Sequence, residues 1–265
     1  MNKNYINSWI DIALKDLEIS KLLYKNKMYS NSYYHFQQAS EKGLKAYAFM
    51  TNTFKCEKDA KNTNHYALKI FANSLNQRQR EIDFLKEYDF DKIIGAENLD
   101  NYSNNLNDGL DFLPKKDEIF EFSNKILDDI LKILKELSEY KYKFQIDIKN
   151  HFIDKMDLIF DLVYKINPRK ADEMKIDFNE LIEDKNQFNE LLENTKTQIN
   201  IQLLENYNVL ILFYTNLISH NHNNLTRYPD FQHNPLKYYN LRRPIIKKLP
   251  EFIMYLESTL KQLKK

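Results

Sequence analysis

The sequence predicts an all-α fold, and three observations carry that prediction. Glycine occurs 3 times and proline 6 times in 265 residues. A β-sandwich or barrel needs many tight turns, and a phosphate-cradling loop needs clustered glycines, so both are disfavoured. The 17 Phe and 18 Tyr, within a hydrophobic content of 43%, supply enough apolar surface to exclude a disordered chain. Apolar residues also recur at helical spacing through most of the sequence.

The first helix is predicted from about Tyr5 to Asn26, with Ile6, Trp9, Ile10, Ala13 and Leu17 on one stripe. Asn26 and Lys27 allow a turn. The second helix begins near Ser30 or Asn31, either a good N-cap, and runs to about Met50 with Tyr33, Phe36, Gln37, Ser40, Leu44 and Tyr47 in line. Ala39 and Gly43 beside that stripe allow a neighbouring helix to approach closely. Residues 51–63 read as a loop and His65 to Asn76 as a third helix. Gly95, Gly109, Pro114 and clustered Asn and Asp mark 89–115 as a loop or insertion. Further periodic segments cover 117–137, 147–166, 172–194 and 198–219. An irregular stretch interrupted by Pro229, Pro235 and Pro244 then leads to a last helix at about 249–263, with Pro250 in its first turn.

The formal charge is +1, which by itself predicts no affinity for nucleic acid. That total hides a segregation. Residues 1–80 carry +7 and 225–265 carry +6, against −9 in 81–129 and −3 in 130–224. Two readings remain open: a shared basic surface where the ends pack together, or solvated helix faces neutralised by the acidic middle. The single Cys56 excludes a disulfide framework and a Cys-based zinc site, and fits a reducing cytoplasm. No apolar run is long enough to span a membrane. The first residues read as a helix and not as a signal peptide, because acidic residues interrupt their apolar pattern.

Two blocks carry a family resemblance. Trp9, Ala13, Asp16 and Leu17 form W-x3-A-x2-D-L, and Ser32 to Ala46 reads S-x-Y-x-F-Q-Q-A-S-E-K-G-L-K-A. His65 to Leu68 and the T-R-Y-P-D of Thr226 to Asp230 add to them. This sequence resembles the HEPN domain family. The resemblance implies an antiparallel helix bundle built from 1–75 and 198–265, with 76–197 as a large acidic helical insertion. It departs from the family at Gly43, where Ala is usual, at a cost of about 1 kcal/mol in helix propensity.

Many HEPN proteins are metal-independent ribonucleases with an R-x4-6-H motif paired across a symmetric dimer. Arg227 to His233 gives R-x5-H. RNA supplies its own nucleophile, the 2′-hydroxyl, so such a site needs a proton-transfer group, met by His233, and a cation for the phosphate, met by Arg227. The resemblance therefore implies a homodimeric, cytoplasmic endoribonuclease of a toxin or phage-defence system, with no cofactor and no metal. The alternative is a non-catalytic module binding a nucleotide or a partner, such as a nucleotidyltransferase-like antitoxin. In that reading Arg227 salt-bridges or caps the bundle, since Tyr228 and Pro229 follow it in place of a polar residue. Lys237, Tyr238, Tyr239, Arg242 and Arg243 combine aromatic faces with cations, as single-stranded RNA requires; packed tyrosines and solvated arginines are the other reading. His220 and His222 form an H-x-H pair that either lines the same polar site, ligates a metal with an added carboxylate, or faces solvent. His35 reads as packed or interfacial, His65 as a helix start, and His151 as part of a solvated face. Pro235 occupies the position where related toxins carry a modified Tyr, so that regulation does not transfer.

Overall fold

A computed structural model describes residues 3–63, 65–87, 96–114, 121–139, 148–220, 222–229 and 233–264. Its contacts divide the chain into two units, the first comprising 1–74, 112–140 and 206–265 and the second 75–111 and 141–205. Every regular element among the described residues is helical, in agreement with the all-α expectation.

In the first unit, α1 (Lys3–Lys25) and α2 (Tyr29–Met50) form an antiparallel pair. The turn between them follows from backbone hydrogen bonding. The Met28 N–H donates to the Leu23 carbonyl and the Lys27 N–H to that of Tyr24, each at 2.9 Å. Lys27 sits at φ 61°, the left-handed position where glycine is usual. Ser20 and Ser32 clasp the pair, each hydroxyl donating to the other residue's carbonyl at 2.8 Å. The expected Ser30 or Asn31 cap is not used. The helix begins one residue earlier, at Tyr29, and the Ser30 hydroxyl donates instead to the Thr226 carbonyl.

Long-range bonds hold α2 against the C-terminal part of the unit. Tyr33 Oη donates to the Ile218 carbonyl at 2.6 Å, and Asn216 Nδ2 to that of Ser40 at 3.0 Å. These bonds satisfy polar groups that would be costly to bury alone. The last helix, Pro244–Leu263, packs on the α1–α2 pair and on the helix Asn124–Glu139. Tyr33, Phe36, Leu44, Leu134, Phe252 and Leu260 lie at the centre of the common core.

Several elements differ from expectation for identifiable reasons. The loop at 51–63 contains α3 (Glu57–Asn62), started by the Asp59 carboxylate, which accepts from the backbone of Cys56 at 3.0 Å. The next helix, α4 (Lys69–Glu87), starts later and runs longer than predicted. Most of 89–115 is α5 (Ala96–Phe112), which accommodates Gly109; residues 88–95 lie outside the described residues. α6 (Asn124–Glu139) was expected within the 76–197 block, yet its apolar stripe of Leu127, Ile130, Leu131 and Leu134 belongs to the first unit's core. The 172–194 segment is two helices, because Asp184 leaves helical geometry and caps the second of them. Its carboxylate accepts from the N–H groups of Asn186 at 3.0 Å and Gln187 at 3.1 Å. α7 (Ile148–Ile166) and α8 (Pro168–Glu183) precede that break, and α9 (Lys185–Ser219) comes after it. Two short turns, α10 (His222–Leu225) and α11 (Pro235–Tyr238), lead to α12 (Pro244–Leu263), whose Pro250 lies in the interior.

The second unit has its own smaller apolar clusters. Ile82, Leu99 and Leu106 join α4 to α5, and Phe188 and Leu192 pack with Leu181 and Ile182. Phe160 meets Phe178 edge-on at 5.6 Å.

Candidate functional site

The segment after α10 is pinned before it presents anything. Thr226 is buried, its hydroxyl donates to the His222 carbonyl at 2.9 Å, and its own carbonyl accepts from Ser30. Arg227 comes next, at the surface, its guanidinium 5.0 Å from the Tyr34 ring centre and 5.0 Å from that of Tyr228. Arg227 and Tyr34 line a cleft of about 450 Å³ whose other walls include Ser30, Asn31, His35 and Asn234. The cleft thus combines amide, imidazole and guanidinium groups with an apolar part formed by Pro229, Pro235 and Leu236, while the Ser30 and Thr226 hydroxyls are spent on backbone carbonyls.

Behind the cleft lies a charged relay that joins α1 to α2. His35 Nδ1 lies 2.9 Å from Asp16 Oδ1, and Lys42 Nζ donates to Asp16 Oδ2. Burial pushes the Asp16 carboxyl up, but the bonds from His35 and Lys42 outweigh it and hold the group below its ordinary value. An ionised Asp16 accepts a proton from Nδ1, which leaves Nε2 as the ring nitrogen outside that bond.

The other expected site residues are distributed differently. His233 does not line the cleft; its Nε2 bonds to the Leu225 carbonyl at 2.8 Å, and its ring packs 4.7 Å from that of Tyr238. Tyr238 donates to Glu121, which also pairs with Arg243 at 3.2 Å, and the Arg243 guanidinium lies 3.8 Å from the Tyr238 ring centre. Burial and the Glu121 bond push the Tyr238 phenol up to about 12. Lys237 and Arg242 are exposed. His220 and His222 are both buried and separate: His220 meets the Tyr66 ring at 5.3 Å, while His222 Nδ1 bonds Tyr239 Oη at 2.6 Å. His65 bonds the buried Glu41 at 3.0 Å. Asp230, within the T-R-Y-P-D stretch, and the His151 side chain lie outside the described residues.

Residues 6–90 match the family model for the HEPN domain. Residues 6–90 carry a HEPN domain. That assignment gives it a fold family of nucleases and nucleotide-binding modules. No curated protein and no solved structure matches the chain. The HEPN match includes Asp16, Tyr34, His35 and Lys42, whereas Arg227 and His233 lie beyond it. The cleft thus joins the HEPN helix pair to a segment nearly 200 residues later in sequence, through the Ser30 to Thr226 bond. Sequence reading found Arg227 but missed the Asp16–His35 pairing. Both residues fall within the two blocks that carry the family pattern, but no spacing rule relates side chains on two different helices. Among the described residues no helix is long and apolar enough to cross a membrane.

Proposed function

We propose that this HEPN-domain chain is a metal-independent endoribonuclease of a toxin or phage-defence system, active as a homodimer. The observation that carries the reading is the Arg227 cleft. A guanidinium 5.0 Å from each of two tyrosine ring centres, in a cleft that also offers amide and imidazole groups, suits a phosphate with an adjoining base. Arg227 takes the phosphate and stabilises the charge that builds on it. The Leu225 carbonyl bond to His233 fixes the segment that presents Arg227. Glu121 neutralises Arg243, so Lys237 and Arg242 serve as the outlying contacts to the RNA backbone.

A second reading, a nucleotide-binding module, draws support from the cleft volume of about 450 Å³, which suits one small ligand. The experiment that separates them incubates a labelled single-stranded RNA with the wild type and with Arg227→Ala in EDTA. Cleavage by the wild type to 2′,3′-cyclic phosphate ends, lost in Arg227→Ala, supports the ribonuclease. Intact RNA with saturable nucleotide binding that Arg227→Ala abolishes supports the module. A nucleotidyltransferase-like protein is the partner class expected for either.

A further inference from the structure

We infer that His35 is the proton-transfer group of the Arg227 cleft and that Asp16, braced by Lys42, is its positioning residue. The inference rests on the ribonuclease reading and names the chemistry of that same site.

Geometry selects this imidazole from those described. His220 and His222 are buried, with 4% exposure each. His233 Nε2 is engaged by a backbone carbonyl, and His65 faces Glu41. His35 lines the cleft with a side chain 26% exposed, enough for a ligand to reach it while its ring stays held. Its placement relative to Arg227 is set by Tyr34, the preceding residue on α2. One face of the Tyr34 ring carries the Arg227 guanidinium at 5.0 Å, and the His35 ring meets it edge-on at 5.3 Å. The cation and the imidazole are therefore neighbours on one small aromatic platform.

The bond behind His35 gives the second oxygen of the buried Asp16 carboxylate its partner and holds the ring at the same time. Lys42 and Asp16 already form an ion pair that satisfies both charges. Adding His35 Nδ1 to the same carboxylate fixes the ring's tautomer and its rotation, the arrangement that prepares an imidazole for proton transfer at its other nitrogen.

The step balances without a metal or a redox partner. His35 Nε2 takes the proton of the ribose 2′-hydroxyl as the 2′-oxygen forms a bond to phosphorus. The bond from phosphorus to the 5′-oxygen breaks with its electron pair, and the departing 5′-oxygen takes a proton from water. The imidazolium then returns its proton to solvent. The products are a 2′,3′-cyclic phosphate and a 5′-hydroxyl.

The test compares the wild type, His35→Ala, His35→Asn and Asp16→Asn on a labelled single-stranded RNA in EDTA, with thermal melts confirming that each is folded. The His35→Asn side chain retains an amide donor for Asp16 but has no titratable nitrogen. Both His35 variants are expected to lose about 10²-fold or more of the cleavage rate, and added imidazole is expected to restore part of the activity of His35→Ala alone. Asp16→Asn is expected to lower the maximal rate with little change in RNA affinity. If the wild type cleaves and folded His35→Asn cleaves equally well, the inference fails while the ribonuclease stands. A wild type that leaves all RNA intact overturns the ribonuclease reading, and the role of His35 with it.

Discussion

Replacing Gly43 with alanine sets two opposing effects against each other in the middle of α2. A Cβ at this position would stand 2.7 Å from Leu260 Cδ2 and 3.2 Å from Leu212 Cδ2. Carbon atoms in good contact lie about 3.5–4.0 Å apart, so Leu260 must retreat by about 0.8 Å. Both leucines are 0% exposed and cannot swing into solvent, which makes this an overpacking problem costing about 1–3 kcal/mol. Against it stands the helix propensity of Ala over Gly, about 1 kcal/mol. The expected net is a loss of about 1 kcal/mol, seen as a melting temperature lower by about 2–4 °C. Circular dichroism melts and urea titrations read it directly. A second arm sharpens the test. In a Leu260→Ala background the nearer obstruction is gone and only the 3.2 Å approach to Leu212 Cδ2 remains, so Gly43→Ala should shift toward stabilisation, by up to about 1 kcal/mol. Stabilisation in the wild-type background, or the same effect in both backgrounds, would show that Gly43 is not there for close approach.

Three other outcomes are expected. Lys27→Gly relieves a left-handed residue at φ 61° and should raise the urea midpoint by a stability of up to about 1 kcal/mol. Tyr239→Phe deletes the buried hydroxyl on His222 Nδ1 and should cost about 1–2 kcal/mol in the same assay. Asp16 and Glu41 are both held below their ordinary values of 3.8 and 4.5; in each, burial acts upward and the bonds from a histidine and a lysine, His35 with Lys42 and His65 with Lys45, together act downward more strongly. The unfolded chain therefore binds protons first as pH falls. Their stabilisation is full above the ordinary values and is lost as pH drops through the lower folded ones. Glu41→Gln, which leaves the buried Lys45 without its carboxylate at 2.7 Å, should cost about 3 kcal/mol at neutral pH and flatten the acid limb of the stability profile.

The helix pair was legible because its signal is local. Ile10, Ala13 and Leu17 on α1, and Tyr33, Phe36 and Leu44 on α2, repeat at helical spacing and are the residues the core buries. The break at Asp184 was written in the sequence too, as a capping residue inside an apolar period, but periodicity alone reads through it. What stayed hidden depends on residues far apart in the chain. Ser30 looks like a cap until Thr226 is placed beside it, and Arg243 looks like an RNA contact until Glu121 is. The same holds for the site: Arg227 could be found by spacing from His233, whereas His35 gains meaning only from Asp16, on the helix before it.

The way α2 is covered also dictates the order in which this protein can become itself. Its buried face, with Tyr33 and Phe36 at its centre, is closed by α12 and tied to residues 216–226. During synthesis, at about 5–20 residues per second, α12 follows α2 out of the ribosome by roughly 10–40 s. Throughout that interval the α1–α2 hairpin carries an uncovered aromatic face, and the cleft does not exist because Arg227 has not been made. A nascent chain of this design lacks the cleft until its closing segment arrives, and in the meantime the reciprocal Ser20–Ser32 bonds tie α1 to α2.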